Sequence, residues 1–254
     1  MYPVLLKLGP LTLYTYGLAL VVAFTLVTWL AAKTAHGLPP QHVAVFPDQL
    51  VDFSGWSLLG GLVGARVFYV LLHWDWFVSS PQDILAIWHG GLVWYGGFLG
   101  GLVAGWLYLR AKRLVFLRVV DQFIPFVALG HAVGRIGCFL NGCCYGKPTS
   151  SWYGVVFPGQ DIPVLPTQLV EALGLLFLYI LLRTLQRPTL LRRPGWIFSC
   201  YLIAYGLLRF LMEFLRGDQT TCWLGLTLQQ LISIGTFVVG LFLMNSSLRK
   251  SINL

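Results

Sequence analysis

Charged residues are scarce in this chain. Asp, Glu, Lys and Arg together make up 10% of its 254 residues, whereas hydrophobic residues make up 57%. Soluble domains contain about 25% charged residues, and disordered chains combine low hydrophobicity with high net charge. The composition therefore excludes a water-soluble globular protein and a disordered chain, and it indicates an integral membrane protein.

The chain also lacks the patterns of several other membrane classes. It has no series of alternating segments of about 10 residues, which transmembrane barrels require, and no internal repeat of the kind found in secondary transporters. Residues 1–10 include two prolines and no small-residue cleavage pattern follows the first apolar run, so we expect this segment to remain in the mature protein. These absences favour one all-α polytopic domain over residues 1–254.

Seven runs are long and apolar enough for a spanning helix of about 20 residues. Their length distinguishes them from strands, which periodicity alone would not do. We therefore predict an all-α fold with seven transmembrane helices, at residues 14–35, 48–72, 91–110, 119–140, 166–186, 195–215 and 224–245.

Glycines four residues apart occur in the second and third predicted spans, and such pairs let two helix backbones approach closely in lipid. We interpret them as packing positions. The pairs are Gly60 with Gly64, Gly96 with Gly100, Gly97 with Gly101, and Gly101 with Gly105.

The net charge of +8 would suggest nucleic acid in a soluble protein. In a membrane protein it indicates orientation, because basic residues concentrate in cytoplasmic loops. Lys7, Lys147 and Arg216 lie on one side, and the basic residues of the other loops and of the span ends that adjoin them lie on the opposite side. That distribution predicts an N-terminus outside and a cytoplasmic C-terminus. The second group comprises Lys33, Arg110, Lys112, Arg113, Arg118, Arg183, Arg187, Arg192, Arg193, Arg249 and Lys250.

Three arginines, Arg66, Arg135 and Arg209, fall inside predicted spans. A charge at membrane depth costs about 2.5–3.5 kcal/mol on insertion scales, so such residues are candidates for function. His131 and Arg135 are four residues apart and share one helix face. Arg209 and Glu213 have the same spacing, which fits either an internal ion pair or a carboxylate that holds Arg209 toward a ligand.

Arg135, Arg209 and Arg216 lie near the outer ends of their predicted spans. A guanidinium stays charged when desolvated and binds phosphate through two parallel hydrogen bonds. Arg135 has no acidic residue within one turn of its own helix, so its partner comes from elsewhere. We expect these side chains to converge on an anion, and an anionic phospholipid headgroup is the natural anion at that depth.

Residues 134–149 combine four glycines with three of the five cysteines. Irregular backbone near membrane depth is tolerated only where it lines a cavity or is packed in protein, so we expect the outer loop 141–165 to form part of the site. Cys138, Cys143 and Cys144 fit four alternatives. These are a disulfide between Cys143 or Cys144 and Cys222, a nucleophilic or lipid-accepting thiol activated by Arg135, a metal site with His131, and inert packing.

The chain resembles the prolipoprotein diacylglyceryl transferases, as a divergent member, over nearly its whole length. Several motifs in one order carry the resemblance. They are Tyr16-Gly17, Gly64-Ala65-Arg66, residues 89–97, residues 134–142, Pro166-Thr167-Gln168 with Glu171, Tyr205-Gly206 through Arg209 with Glu213 and Arg216, and residues 226–230.

The resemblance implies transfer of a diacylglyceryl group from phosphatidylglycerol to the thiol of a lipobox cysteine in an exported precursor. Arg135 and Arg209 would hold the phosphate and stabilise the leaving group. Cys138 stands where the family usually has Asn, Cys143 where it has Glu, and Tyr95 where it has His. The candidate catalytic residues are Arg135, Arg209, Tyr95, Cys138 and Cys143; the candidate substrate-binding residues are Tyr16, Arg66, His131, Asn141, Gly142, Gly146, Gln168, Glu213 and Arg216.

The expected partners are phosphatidylglycerol or another anionic phospholipid, a lipobox-type precursor or another acceptor, and the bilayer. We expect no cofactor, no metal and no nucleic acid, and location as a multi-pass protein of the bacterial cytoplasmic membrane. Three alternatives remain at this point. They are a lipid carrier without transferase activity, a thiol-dependent transferase acting on another acceptor, and a thiol–disulfide oxidoreductase that uses Cys143 and Cys144.

Overall fold

The computed structural model describes residues 4–8, 11–36, 45–87, 90–186, 193–217, 221–223 and 225–252. Its long helices are α1 (Thr15–His36), α2 (Pro47–Leu72), α4 (Trp94–Ala111), α5 (Phe116–Asn141), α6 (Thr167–Leu185), α7 (Trp196–Glu213) and α8 (Leu228–Ile252); the short α3 (Trp74–Ser79) and a 3₁₀ helix (Pro81–Leu85) lie between α2 and α4. Three residues used in the sequence interpretation, His89, Arg187 and Arg192, fall outside the described ranges.

Within these ranges, six long helices are apolar enough to cross a membrane, and α4 is the exception. The 18 residues of α4 include five glycines and Arg110, which lower its mean hydropathy. A mainly helical, multi-pass membrane protein is therefore confirmed. The helix α4 occupies the third span predicted from the sequence, but its insertion in the bilayer remains a prediction.

Two short β-hairpins precede helices α1 and α8. The sequence predicted no strands. Strand β1 (Val4–Leu8) pairs antiparallel with β2 (Leu11–Tyr14) directly before α1, and Leu6 lies opposite Leu13. Strand β3 (Thr221–Trp223) pairs with β4 (Leu226–Thr227) directly before α8. Strands of two to five residues are too short for an alternating pattern to distinguish them from irregular segments.

The chain divides into two compact units. The large unit contains residues 1–31 and 120–254, and the small unit contains residues 32–119.

In the small unit, α2 and α4 pack at their glycines. A Cβ atom on Gly64 would lie 2.3 Å from the Gly96 carbonyl oxygen, and one on Gly100 would lie 2.3 Å from the Gly60 oxygen. These distances are shorter than any van der Waals contact, so the two backbones touch where side chains are absent. The packing role predicted for these glycines is confirmed.

The large unit has its apolar core between α5, α6 and α7, and the core residues are Ile124, Ala128, Leu178, Leu182, Ile197 and Tyr201. Pro125 lies inside α5 and has no N–H to donate to the carbonyl of Asp121 four residues earlier. The Gln186 side chain donates to that carbonyl instead, at 2.9 Å. The Asp121 carboxylate in turn accepts hydrogen bonds from the Gly195 and Phe198 N–H groups at the start of α7.

Helix α1 packs on α5 at two further glycines. A Cβ on Gly130 would lie 2.6 Å from Val27 Cγ2, and one on Gly137 would lie 2.6 Å from Ala19 Cβ. The second contact is two residues from Arg135, so close packing there helps to fix the part of α5 that carries the charged residues.

We expect Gly64→Ala to destabilise the protein by about 1–3 kcal/mol, because the added methyl group overpacks a helix contact made by backbone atoms. Gly55→Ala is the matched control, since a Cβ at Gly55 in the same helix meets nothing within 4 Å. Thermal unfolding in detergent measures both variants. Equal midpoints for Gly64→Ala and Gly55→Ala would contradict the packing described here.

Candidate active site

Two buried ion pairs lie in the large unit. Arg135 of α5 contacts Glu171 of α6, with Nη2 and Oε1 2.9 Å apart, and Arg209 contacts Glu213 one turn later in α7, with Nη2 and Oε2 2.8 Å apart. The side chains are 14%, 3%, 9% and 0% exposed, respectively. Each intramembrane arginine of this unit therefore has a carboxylate partner, and the partner of Arg135 comes from another helix, as the sequence required.

His131 and Tyr205 connect the two pairs. Their rings meet edge to face with centroids 5.2 Å apart. The charges of Arg135 and Arg209 both act on His131 and on Tyr205, and Tyr205 hydrogen-bonds Arg135. The structure therefore brings Arg135, Arg209 and His131 together.

The ion pairs leave donors unused. Among the described residues, Arg135 Nε and Arg209 Nη1 are buried without a hydrogen-bond acceptor. Buried polar groups in folded proteins are nearly always hydrogen-bonded. A guanidinium that keeps one charged partner and an unused N–H group is suited to an additional acceptor, and a phosphate oxygen matches its geometry.

The loop after α5 is held by the first residues of α6. Gln168 Nε2 donates to the Cys143 carbonyl at 2.6 Å, and Thr167 Oγ1 donates to the Cys144 carbonyl at 3.0 Å. Gly142 (φ 77°) and Cys144 (φ 64°) both lie in the left-handed region. That conformation is unfavourable for a cysteine, so the two side-chain hydrogen bonds help to maintain it.

Gly146 also holds the loop after α5 against the ends of α6 and α7. Its N–H donates to the Leu165 carbonyl at 2.8 Å, and it forms an antiparallel bridge with Arg216, the third residue after α7. A Cβ on Gly146 would lie 2.6 Å from the Leu215 oxygen and 2.6 Å from Thr167 Cγ2. Only glycine fits this position, where the loop crosses the ends of α6 and α7.

Three thiols meet at the end of α5. The Sγ atoms of Cys138, Cys143 and Cys144 all lie within 4.8 Å of one another. Hydrogen bonds with the Cys138 and Cys143 thiols, and then the charges of Arg216 and Arg135, lower the pKa of Cys144. None of the five cysteines forms a disulfide in the structure, so the bridge to Cys222 considered from the sequence does not occur there.

Tyr16 and Asn141 also lie at this end of the large unit. Tyr16, in the first turn of α1, is electrostatically coupled to the three thiols and to Arg135, and a Cβ on Gly137 would lie 3.6 Å from its ring. Asn141 is the last residue of α5, and its side chain hydrogen-bonds Cys143. Both candidates therefore adjoin the cysteine cluster.

Arg66 and Tyr95, the remaining candidates, belong to the small unit. Arg66 Nε donates to Ile84 O at 2.8 Å, and its Nη1 and Nη2 groups donate to three further carbonyls, those of Gly90, Gly91 and Asp83. This arginine is largely occupied in holding the segment between α3 and α4. Tyr95 is 51% exposed in the first turn of α4, and its ring lies against Trp94.

Three residues absent from the predicted site take part in it. Glu171 pairs with Arg135, Tyr205 hydrogen-bonds Arg135 and lies in the field of Arg209, and Thr227 Oγ1 donates to Glu213 Oε1 at 2.7 Å. The sequence offered a partial signal for two of them, because Glu171 follows Gln168 by one turn and Tyr205 precedes Arg209 by one. Thr227 precedes the last helix, and nothing in its local sequence indicates contact with α7.

Comparison with known proteins finds relatives that match nearly the whole chain. The model of the family described as prolipoprotein diacylglyceryl transferase matches residues 3–246. Proteins named phosphatidylglycerol–prolipoprotein diacylglyceryl transferase are 34% identical in Pseudoalteromonas atlantica (98% of this chain, 90% of the relative), 34% in Cupriavidus metallidurans (94% and 90%) and 33% in Clostridium tetani (96% and 97%). The chain belongs to the prolipoprotein diacylglyceryl transferase family.

Proposed function

We propose that this protein transfers the diacylglyceryl group of phosphatidylglycerol to the thiol of a lipobox cysteine in an exported precursor. The names of its relatives state both substrates. The observation that carries the proposal for this chain is the pair of buried guanidinium groups, Arg135 and Arg209, which share the neighbours His131 and Tyr205 and each retain an N–H group without an acceptor.

In this reaction the acceptor sulfur forms a bond to the glyceryl carbon that carries the phosphate. The bond between that carbon and the phosphate oxygen breaks, and glycerol-1-phosphate leaves. The proton released by the thiol balances the additional negative charge on the leaving phosphate. Arg135 and Arg209 bind the phosphate diester and stabilise this growing charge, the kind of electrostatic contribution that is often the largest in catalysis.

We assign a different role in this proposal to each group of the remaining candidates. Glu171 and Glu213 orient the two arginines, and Gln168 and Gly146 hold the loop 141–165 against α6 and α7. Tyr16, His131, Asn141, Gly142 and Arg216 line the lipid site. Cys138 and Cys143 are proposed to act at the reacting end. Tyr95 as a catalytic residue and Arg66 as a substrate-binding residue remain predictions from the sequence.

We also propose seven transmembrane helices, with α4 as the third, in a bacterial cytoplasmic membrane. The support is the backbone contact of α4 with the apolar helix α2 and the concentration of basic residues in alternate loops. An odd number of spans puts the two termini on opposite sides, and the basic loops put the C-terminus in the cytoplasm and the N-terminus outside. The ends of α5 and α7 that carry the arginine pairs then face the outer leaflet, where exported precursors emerge.

The first test is turnover with phosphatidylglycerol and a lipobox peptide. We expect lipidated peptide and glycerol phosphate in equal amounts, and a fall of about 100-fold or more in kcat for Arg135→Ala and Arg209→Ala. Arg110→Ala is the control, because Arg110 lies exposed at the end of α4 against Trp106. Arg135→Lys keeps the positive charge but loses the planar guanidinium fork. We therefore expect this variant to fold normally and to have a reduced kcat.

Three outcomes would contradict parts of this proposal. Lipid binding without transfer in the parent protein would favour a carrier. Release of glycerol phosphate without peptide lipidation would favour another acceptor. Full turnover by both alanine variants would remove the arginines from the mechanism.

The second test measures the coupling between Arg135 and Glu171. Each single variant, Arg135→Gln and Glu171→Gln, leaves one buried charge without its partner and should cost about 3–5 kcal/mol of stability. The double variant should cost clearly less than the sum of the two. Denaturation in mixed micelles measures all four proteins. Additive costs would show that the two side chains do not stabilise each other.

The third test determines whether α4 spans the membrane. Alkaline phosphatase is active only on the oxidising outer side, where its disulfides form. Fusions after Ile87 and after Arg113 flank α4, and we expect activity for the first and none for the second. A fluorescent protein at the C-terminus should be bright in the cytoplasm. Equal phosphatase activity at both positions would exclude α4 as a span.

A further inference from the structure

Three cysteines, one in α5 and two in the loop after it, bring their sulfur atoms close together. Cys138 is buried in the last turn of α5, and Cys143 and Cys144 follow in the loop. The three Sγ atoms lie within 4.8 Å of one another, and those of Cys143 and Cys144 are 3.7 Å apart. A disulfide would need about 2.05 Å, so these are neighbouring thiols.

The sulfur–sulfur separations can be compared with those of ligands around one metal ion. A thiolate binds Zn²⁺ at about 2.3 Å. At that bond length two ligands are about 3.8 Å apart in a tetrahedral site and about 4.0 Å apart in a trigonal one. The Cys143–Cys144 separation of 3.7 Å is close to the tetrahedral value, and the other two separations are no longer than 4.8 Å.

The ligand set selects the kind of cation. Thiolates favour Cu(I) and Zn(II) among the physiological metals, whereas Mg²⁺ and Ca²⁺ prefer oxygen. Within the described residues, the group contains no histidine or carboxylate beside the three cysteines. His131, considered from the sequence as a ligand, contacts Tyr205 instead. Three sulfur ligands suit trigonal Cu(I), or Zn(II) with one open position.

The surroundings of the cluster are organised as those of a metal site usually are. Gln168 and Thr167 hold the carbonyls of the two loop cysteines, and the Asn141 side chain hydrogen-bonds Cys143. Such outer contacts fix the ligands before the metal arrives. Cys143 and Cys144 are partly exposed, which provides a route of entry.

Positively charged residues near the cluster would also stabilise a metal–thiolate complex. Three thiolates with Cu(I) carry a net charge of −2, and with Zn(II) a net charge of −1. Arg216 and Arg135 both act electrostatically on Cys144. Two cations beside the cluster therefore offset the net negative charge of the complex, which a site lined by carboxylates would not do.

We propose that Cys138, Cys143 and Cys144 form a three-thiolate site for a soft thiophilic cation, Cu(I) or Zn(II). On binding, each thiol gives its proton to the solvent and forms one sulfur–metal bond, and no electron is transferred. The site shares Cys138 and Cys143 with the reacting end of the proposed transferase, but metal binding is measured directly and does not require transferase activity.

The experiment uses the full chain in detergent, stripped of metal and kept reduced with a phosphine. Cd(II) is the first probe, because thiolate-to-cadmium absorption in the ultraviolet reports each bond. We expect saturation at one ion per chain and displacement by Cu(I) or Zn(II). Competition between these two ions identifies the preferred metal. Absorption that rises without saturation, or no absorption, would overturn the proposal.

Two variants locate the ligands. Replacing the two cysteines outside the cluster, as Cys200→Ser with Cys222→Ser, should leave the absorption and the stoichiometry unchanged. Replacing Cys138, Cys143 and Cys144 by serine should abolish both while circular dichroism retains the helical signal. Unchanged binding in this triple variant would overturn the proposal.

X-ray absorption of the Cys200→Ser, Cys222→Ser protein provides a measurement that does not need the triple variant to fold. We expect three sulfur neighbours per metal at about 2.3 Å. Two or fewer sulfur neighbours, with oxygen or nitrogen making up the rest, would overturn a three-thiolate site. Loss of metal uptake after a mass decrease of two hydrogens would instead identify a disulfide as the competing state.

Discussion

The energetic requirement that dominates this protein is the pairing of guanidinium groups placed among apolar helices. A charge at membrane depth costs about 2.5–3.5 kcal/mol even on insertion scales, and removing one member of a buried pair is strongly destabilising. Arg135 meets the requirement through Glu171 and thereby links α5 to α6. Arg209 meets it within one helix, through Glu213, which is also held by Thr227. The docking of α6 on α5 is therefore tied to the carboxylate that Arg135 needs, in addition to the apolar core that the two helices share.

The same requirement separates structural arginines from those that can bind a ligand. Arg66 donates to four backbone carbonyls and has little hydrogen-bonding capacity left. Arg135 and Arg209 each have one carboxylate partner and one buried N–H group without an acceptor. In the sequence, only the position near the outer ends of the spans and the family resemblance set Arg135 and Arg209 apart from Arg66, because composition and depth reveal the charge but not what it contacts. The difference between carbonyl and carboxylate partners makes Arg135 and Arg209 the phosphate-binding candidates.

Local patterns predicted the helices well and the tertiary contacts only in part. The seven apolar runs lie within a few residues of α1, α2 and α4–α8 because length and hydrophobicity are local properties. The four-residue glycine spacing correctly indicated the α2–α4 contact. The Arg209–Glu213 pair was also indicated by the sequence, because residues four apart lie on the same face of a helix. The Arg135–Glu171 pair was not, since it depends on how α6 docks, and the hairpins before α1 and α8 were missed because they are too short to show a period.

The cysteine cluster shows why a substitution must be interpreted in its surroundings. By resemblance, Cys138 and Cys143 replace an amide and a carboxylate, and judged singly each exchange removes a polar function. In the structure the two join Cys144, whose neighbours include Arg216 and Arg135. A glutamate would supply one negative charge beside these cations. Three thiols supply none while protonated, but they become net negative when they share a soft cation. Metal binding would thus restore the charge balance that the replacement of glutamate removes.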